Sequence, residues 1–217
     1  MDYELMNNNR ATVTGTIIQE PRYSHEVCGE GFYESAISVK RLSDQIDTLP
    51  ITVSERLLAD SPLQVGDEVS LIGQLRSYNK MEAERSKLML SVFVREISSP
   101  LLDTNPNSIY VTGYVCKEPI YRTTPFNREI CDVLIAVNRA YNKSDYLPCI
   151  AWGRNARFVK GLEVGTKVML EGRIQSRNYQ KQLDSGEVVV KTAYEVSVCK
   201  IDIEESVSNL EEMVETY

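Results

Sequence analysis

Along the second half of the chain, apolar and β-branched positions gather into five segments: Ile109–Cys116, Ile130–Arg139, Tyr146–Trp152, Lys167–Tyr179 and Val188–Ile201. They are rich in Val, Ile, Tyr and Thr, and Gly, Asn, Asp and Pro mark the breaks between them, so each predicts a strand. One short helical stretch, Asn155–Val159, falls between the third and fourth segments. The first half repeats the series, with its helix near Glu55–Ala59.

The repetition is in the residues themselves. Val13-Thr-Gly-Thr-Ile-Ile-Gln-Glu-Pro-Arg-Tyr23 aligns with Val111-Thr-Gly-Tyr-Val-Cys-Lys-Glu-Pro-Ile-Tyr121 at an offset of 98, with six of eleven positions identical. The same offset pairs Val39 with Val137, Arg41 with Arg139, Pro50 with Pro148 and Arg56 with Arg154. At an offset of 99, Gly66 meets Gly165, Gly73 meets Gly172 and Asn79 meets Asn178. A tandem duplication with one inserted residue explains the step, and a repeat of this length dictates the architecture. Five strands with a helix between the third and fourth is the order of an OB-fold barrel. The expectation is an all-β chain of two tandem five-stranded OB-folds: residues 1–99, a linker at 100–107 carrying Pro100 and Pro106, a second fold at 108–201, and an acidic amphipathic tail at 202–217.

The tail carries apolar residues at Ile203, Val207, Leu210, Val214 and Tyr217, an a/d stripe that predicts a helix beginning near Ile203. Such a stripe packs on its own barrel, zips with another subunit or docks a partner protein.

Charge sharpens this picture. The chain has a net charge of -7, which argues against a polyanionic partner until it is divided. Residues 1–104 are net -6, residues 105–201 net +5 and residues 202–217 net -6. Only the second unit attracts a polyanion. No apolar run reaches the length of a spanning helix, and the acidic start Met1-Asp2-Tyr3-Glu4 reads as no secretory signal. The five cysteines at 28, 116, 131, 149 and 199 are widely spaced with no C-x-x-C pair. They suit a reducing compartment, and a cytoplasmic protein is expected.

Enzymatic readings find little. His25 is the only histidine, and no nucleophile motif surrounds it. Walker loops, H-E-x-x-H and zinc spacings do not occur, so no catalysis, cofactor or metal is expected.

Three blocks of the second unit carry a resemblance: Ala136-Val-Asn-Arg-Ala-Tyr141, Asp145-Tyr-Leu-Pro-Cys-Ile-Ala-Trp-Gly-Arg154 and Glu171-Gly-Arg-Ile-Gln-Ser-Arg-Asn-Tyr179. In order and spacing they resemble bacterial single-stranded DNA-binding proteins, over residues 108–201 well and over 10–97 more weakly through the repeat. The resemblance implies that Tyr141, Tyr146, Trp152 and Tyr179 match the family's base-stacking aromatics. It also implies single-stranded DNA as partner and, because the family generally assembles four OB-folds, a homodimer.

Residue geometry supports part of this. Tyr146 and Trp152 are six apart on one predicted strand and therefore share a face. Tyr179 closes the long fourth strand, with Arg177 and Arg173 on its face. Tyr141 follows Arg139 into a turn holding Lys143, and Arg154 and Lys181 complete the candidate set. Stacking aromatics among cations are what sequence-tolerant single-strand binding requires. Each has a plainer reading: a strand aromatic in the core, an arginine decorating a helix.

The first unit departs from the pattern. Ser43, Thr48, Ser54 and Lys80 stand at the four aromatic positions, which points to a structural or assembly role for that barrel. The tail departs too, since it lacks the family's acidic tip ending in Pro-Phe. Two other functions compete with DNA binding: an accessory factor of replication restart whose tail meets replication or repair proteins, and a pure protein-interaction module on an OB scaffold.

Overall fold

The computed structural model describes residues 7–204 except 42, 44, 83–84, 101–104 and 183–185. The first barrel is built from β1 (Asn9–Val27), β2 (Glu30–Lys40), β3 (Ile46–Ser54), α1 (Glu55–Asp60), β4 (Glu68–Glu82) and β5 (Arg85–Ser98). The second uses β6 (Asn107–Val115), β7 (Ile120–Thr123), β8 (Glu129–Arg139), β9 (Lys143–Trp152), α2 (Arg154–Val159), β10 (Lys167–Gln182) and β11 (Val188–Ile203).

In the first copy the pairings run β1–β2–β3–β5–β4 and back to β1, which closes a five-stranded ring. The ring β6–β8–β9–β11–β10 repeats it. The parallel pairs fall at equivalent places, β3 with β5 and β9 with β11. The two tandem OB-folds expected from the repeat are therefore present.

Strand alternation builds each core. Along β8 the inward set Cys131, Val133, Ile135 and Val137 is buried while Asp132, Leu134 and Ala136 are only half-buried. Period-2 side chains force that split. Leu147, Leu170, Ile174 and Val196 complete the second core, and Ile17, Ile37, Leu49, Leu71 and Leu75 fill the first. Burying each such side chain is worth about 1.5–3 kcal/mol. Gly172 sits at a bulge between β10 and β11, where a Cβ would lie 2.4 Å from the Ser197 carbonyl oxygen. Only glycine lets the two backbones meet there.

The barrels join edge to edge. β1 and β6 pair antiparallel, Asn9 opposite Val111 and Val13 opposite Asn107, so the duplicated strands are related by a local two-fold axis. Side chains obey the same symmetry. Asp47 Oδ1 accepts the Ser176 N–H at 2.7 Å, and Asp145 Oδ1 accepts the Ser77 N–H at 2.7 Å.

Several boundaries differ from the sequence reading. β7 is an extra short strand that pairs only with β8, because the first strand of this copy breaks between Val115 and Ile120. β10 runs past Tyr179 to Gln182, and Lys143 opens β9 rather than lying in the turn. The expected helix near Ile203 does not begin there: Ile203 closes β11 opposite Val168, and the Glu204 N–H donates to the Lys167 carbonyl. Backbone pairing on β10 outweighs the a/d spacing at that point. Val207, Leu210, Val214 and Tyr217 lie outside the described residues.

Candidate nucleic-acid interface

Trp152 is the last residue of β9, and its side chain points away from the barrel core. It is 39% exposed, directly opposite the buried Ile130 of β8. The pleat puts Ile150 on the same face, and the parallel pairing sets Ser197 of β11 beside Ile150. From there the register carries the face across to β10, where Arg173 lies opposite Ser197, Gln175 opposite Glu195 and Arg177 opposite Ala193. Trp152, Arg173 and Arg177 thus line a single cleft of about 840 Å³. Tyr179 lies one step further along this face, half-buried, with the Arg177 guanidinium 6.0 Å from its ring centroid. That contact holds cation and ring side by side.

Two further walls were missed by the sequence reading. The β7–β8 hairpin contributes Arg122, Thr124 and Arg128, and its tip carries Phe126, 86% exposed. Their signal was an R-x-x-P-F-x-R run between two strands, which reads as a plain turn until the hairpin folds over the cleft. The second wall comes from the first barrel, whose β2–β3 connection adds Arg41, Gln45 and Ile46. Arg41 is held by Asp47, Nε to Oδ2 at 2.7 Å and Nη2 to Oδ1 at 2.7 Å, and also donates to Gln45 Oε1 at 2.6 Å. Its hydrogen bond to Asp47 raises the arginine above its ordinary value.

Electrostatically the cleft is cationic. Among the described residues, five arginines line it against one carboxylate, Glu195. Gln175 Nε2 donates to Glu195 at 2.7 Å, and Arg177 stands 3.9 Å away. Arg122 pairs with Asp132 at 2.7 Å, a bond that raises the arginine further. Guanidinium groups stay charged at any working pH and offer planar forks to phosphate.

Other candidates lie elsewhere. Tyr141 sits in the three-residue turn between β8 and β9, 91% exposed. Tyr146 shares the outer face of β9 with Trp152 but is six residues away, about 20 Å at a strand's rise. Its backbone N–H donates to Ser77 Oγ of the first barrel at 2.7 Å. Arg139 turns into the same junction, with Nη1 3.3 Å from the buried Asp145. Lys143 is exposed opposite Arg139, at the end of that hairpin. Arg154 is exposed on α2 and does not line the cleft. Lys181 lies on β10, its side chain outside the described residues.

The first barrel has redistributed its rings rather than lost them. Ser54 replaces the tryptophan, but Phe32 stands opposite it where the second barrel has Ile130. Phe32 is buried beneath His25, the two rings stacked at 5.3 Å, and lies 5.6 Å from Phe93. Among the described residues, no group of His, Cys, Asp or Glu is arranged to hold a metal ion.

Two OB barrels with a basic, tryptophan-bearing cleft on the later one define the class of the fold as a tandem OB-fold. Comparison with known proteins is specific. The model of the single-strand binding protein family matches residues 106–203. Over 83 residues the chain is 34% identical to single-stranded DNA-binding protein 1 of Staphylococcus aureus (strain COL), covering 35% of this chain and 50% of that protein. It is 31% identical over 83 residues to single-stranded DNA-binding protein A of Bacillus subtilis (strain 168), covering 35% and 48%. The chain spans about half the length of these curated relatives. The wild-type single-stranded DNA binding protein from Thermus aquaticus superposes with a TM-score of 0.72 at 16% identity, over 91% of this chain and 93% of that one. This is a likeness of fold along nearly the whole chain. The likeness to the single-strand binding protein family falls on the second barrel, residues 106–203.

Proposed function

We propose that this chain binds single-stranded DNA with little sequence preference, as a non-catalytic protein of replication, recombination or repair. The observation that carries the reading is the convergence of Trp152, Arg173 and Arg177 on one cleft with a single carboxylate among its described lining residues. A base stacks on the indole face while the arginines neutralise the adjoining phosphates, and Tyr179 offers the next ring along the strand. Stacking contributes about 1–3 kcal/mol per base and tolerates any sequence, because every base has a π-face. Relatives named for single-stranded DNA binding support the same reading.

Arg154, Lys143 and Lys181 extend this surface in the proposal, and Tyr141 and Tyr146 mark where a strand leaves it toward the first barrel. A cytoplasmic homodimer with four OB-folds completes it. No described helix is long and apolar enough to cross a membrane.

Trp152 is the only tryptophan, so its fluorescence tests the reading. Titration with oligo-dT at low salt quenches it when a base stacks there. A flat titration rejects the proposal in favour of a protein-interaction module, and the mass of the complex reads the subunit count.

A further inference from the structure

The loop that joins β7 to β8 is Pro125-Phe126-Asn127, set between Thr124 and Arg128. Proline fixes its own φ, and Asn127 takes the left-handed conformation at φ 57°, which asparagine tolerates better than most residues. A three-residue hairpin loop ending in such a residue is a compact, recurrent design. Here three hydrogen bonds close it. The Asn127 N–H donates to the Thr124 carbonyl at 2.9 Å, the Thr124 N–H to the Arg128 carbonyl at 2.9 Å, and the Arg128 N–H to Thr124 Oγ1 at 3.1 Å. Further down, the hairpin is tied to its own barrel. The Tyr121 hydroxyl donates to Glu129, the Tyr121 ring lies 4.8 Å from the Lys160 ammonium, and Arg122 pairs with Asp132 at 2.7 Å.

That well-tied hairpin holds a phenylalanine out in water. Phe126 is 86% exposed, so its ring contributes little to the core. A single exposed apolar residue is ordinary, but this one has cleft-lining neighbours on both sides: Thr124 two residues before it, Arg128 two after, and Arg122 further down the strand. A flat apolar face between cations at the rim of the cleft has the composition of a stacking platform. The first barrel builds its matching hairpin differently. There Val27 faces Glu30 across a two-residue turn of Cys28 and Gly29, both at positive φ, with no ring at the tip. Its counterpart of the Arg122–Asp132 pair is Ser24 donating to Glu34 at 2.8 Å, without the cation. The ring and its arginines belong to the later barrel alone.

We propose that Phe126 is a further base-stacking residue, outside the four aromatic positions that the family resemblance implies. It forms a preset post at the rim of the cleft, on which a base beyond the one on Trp152 stacks while Arg122 and Arg128 meet the phosphates beside it. The role rests on the single-strand reading of the Trp152 cleft. It extends the path of the strand from Tyr179 on β10, across Trp152 at the end of β9, to the β7–β8 tip.

The test uses the full chain and labelled oligo-dT of about 12 nucleotides, within the site of one OB-fold. Three variants are compared: Phe126→Ala, Phe126→Leu, which keeps an apolar side chain without a π-face, and Phe126→Tyr, which keeps the ring. Alanine and leucine are expected to weaken binding about tenfold, and tyrosine to restore it. Thermal unfolding and the limiting quench of Trp152 stay as in wild type, because the ring is outside the core and the first stack is untouched. The log–log salt slope also stays, since no phosphate contact is removed. Wild-type affinity in the alanine variant overturns the inference, and so does full affinity in the leucine variant, which would mean that no ring is needed. A fall in Tm on the alanine change overturns it as well, by making the ring a packing residue. Each of these leaves the Trp152 reading intact. A wild-type chain whose tryptophan does not respond to the oligonucleotide sinks that reading and this one together.

Discussion

Asp47 Oδ1 lies 2.7 Å from the backbone nitrogen of Ser176, although 129 residues separate them in the chain. The carboxylate is wholly buried, and it also binds Arg41 through both oxygens. One acid therefore fixes the far barrel's β10 and one of the arginines lining the far barrel's cleft. Its repeat mate Asp145 does the reverse, taking the Ser77 N–H and Arg139. Each barrel braces the edge of the other.

Removing that acid should loosen the junction. Asp47→Ala leaves the Ser176 N–H and a half-buried Arg41 without their acceptor, and breaking such a pair typically costs about 3 kcal/mol. For a chain of this size that lowers Tm by roughly 6–12 °C. A single unfolding transition at the wild-type temperature would show that the junction contributes nothing.

Acid should have a related effect. Burial works to raise the Asp47 carboxyl, but the hydrogen bonds from Arg41 and from the Ser176 N–H outweigh it and hold the group below its ordinary 3.8. A depressed carboxyl stabilises the fold at pH above its unfolded value, and that share is lost as pH falls through the lower folded value. Denaturant titrations from pH 6 downward should show wild type losing stability below about 4. Asp47→Asn is expected to show a shallower loss over the same range.

The cleft makes a separate prediction. Trp152→Ala removes a half-exposed ring from the barrel's outside, so the fold survives and oligo-dT affinity falls by about 1–3 kcal/mol, roughly five- to 150-fold. Trp152→Phe retains most of the affinity. Collapse of the fold on the alanine change, seen by circular dichroism, would assign the ring to the core instead.

The repeat made much of this architecture legible. The five-strand series, the helix between strands three and four, the common face of Tyr146 and Trp152 and that of Arg173, Arg177 and Tyr179 all follow from residue period and motif order; that the two faces meet in one cleft does not. What stayed hidden depends on contacts distant in sequence. Arg122 and Arg128 reach the cleft only because β7 folds back on β8, and Arg41 only because the barrels join along β1 and β6. The alignment placed Ser54 where an aromatic was expected, but it could not show that Phe32 fills the space from the neighbouring strand. Ile203 misled for a related reason: a 4-3-4-3 spacing describes a stripe in isolation, and pairing with β10 opposite Val168 captured its first residue.

Salt separates the arginines from the rings. Arg173→Ala and Arg177→Ala each remove a phosphate contact, so each should flatten the log–log salt dependence of binding by about 0.7. The limiting Trp152 quench at saturation stays the same, since the stacked base remains. Arg154→Ala, outside the cleft lining, serves as the reference and should change the slope less than either.

Tyr141 offers the sharpest contrast between motif and geometry. Its φ of 61° and that of Asn142, 53°, place two of the three residues of the β8–β9 turn in the left-handed region. A bulky side chain there costs about 1–2 kcal/mol relative to the right-handed form, and glycine escapes the penalty. Nearly all of the ring faces solvent, so its removal forfeits little burial. Tyr141→Gly should therefore raise stability by several tenths of a kcal/mol to about 1. It should leave binding of a short oligo-dT at Trp152 unchanged, because the turn lies at the opposite end of β9. Binding of a longer strand decides the tyrosine's remaining role: a loss confined to long oligonucleotides makes the ring part of the strand's path between the barrels. An unchanged affinity at every length makes it a turn residue that the motif alone had promoted.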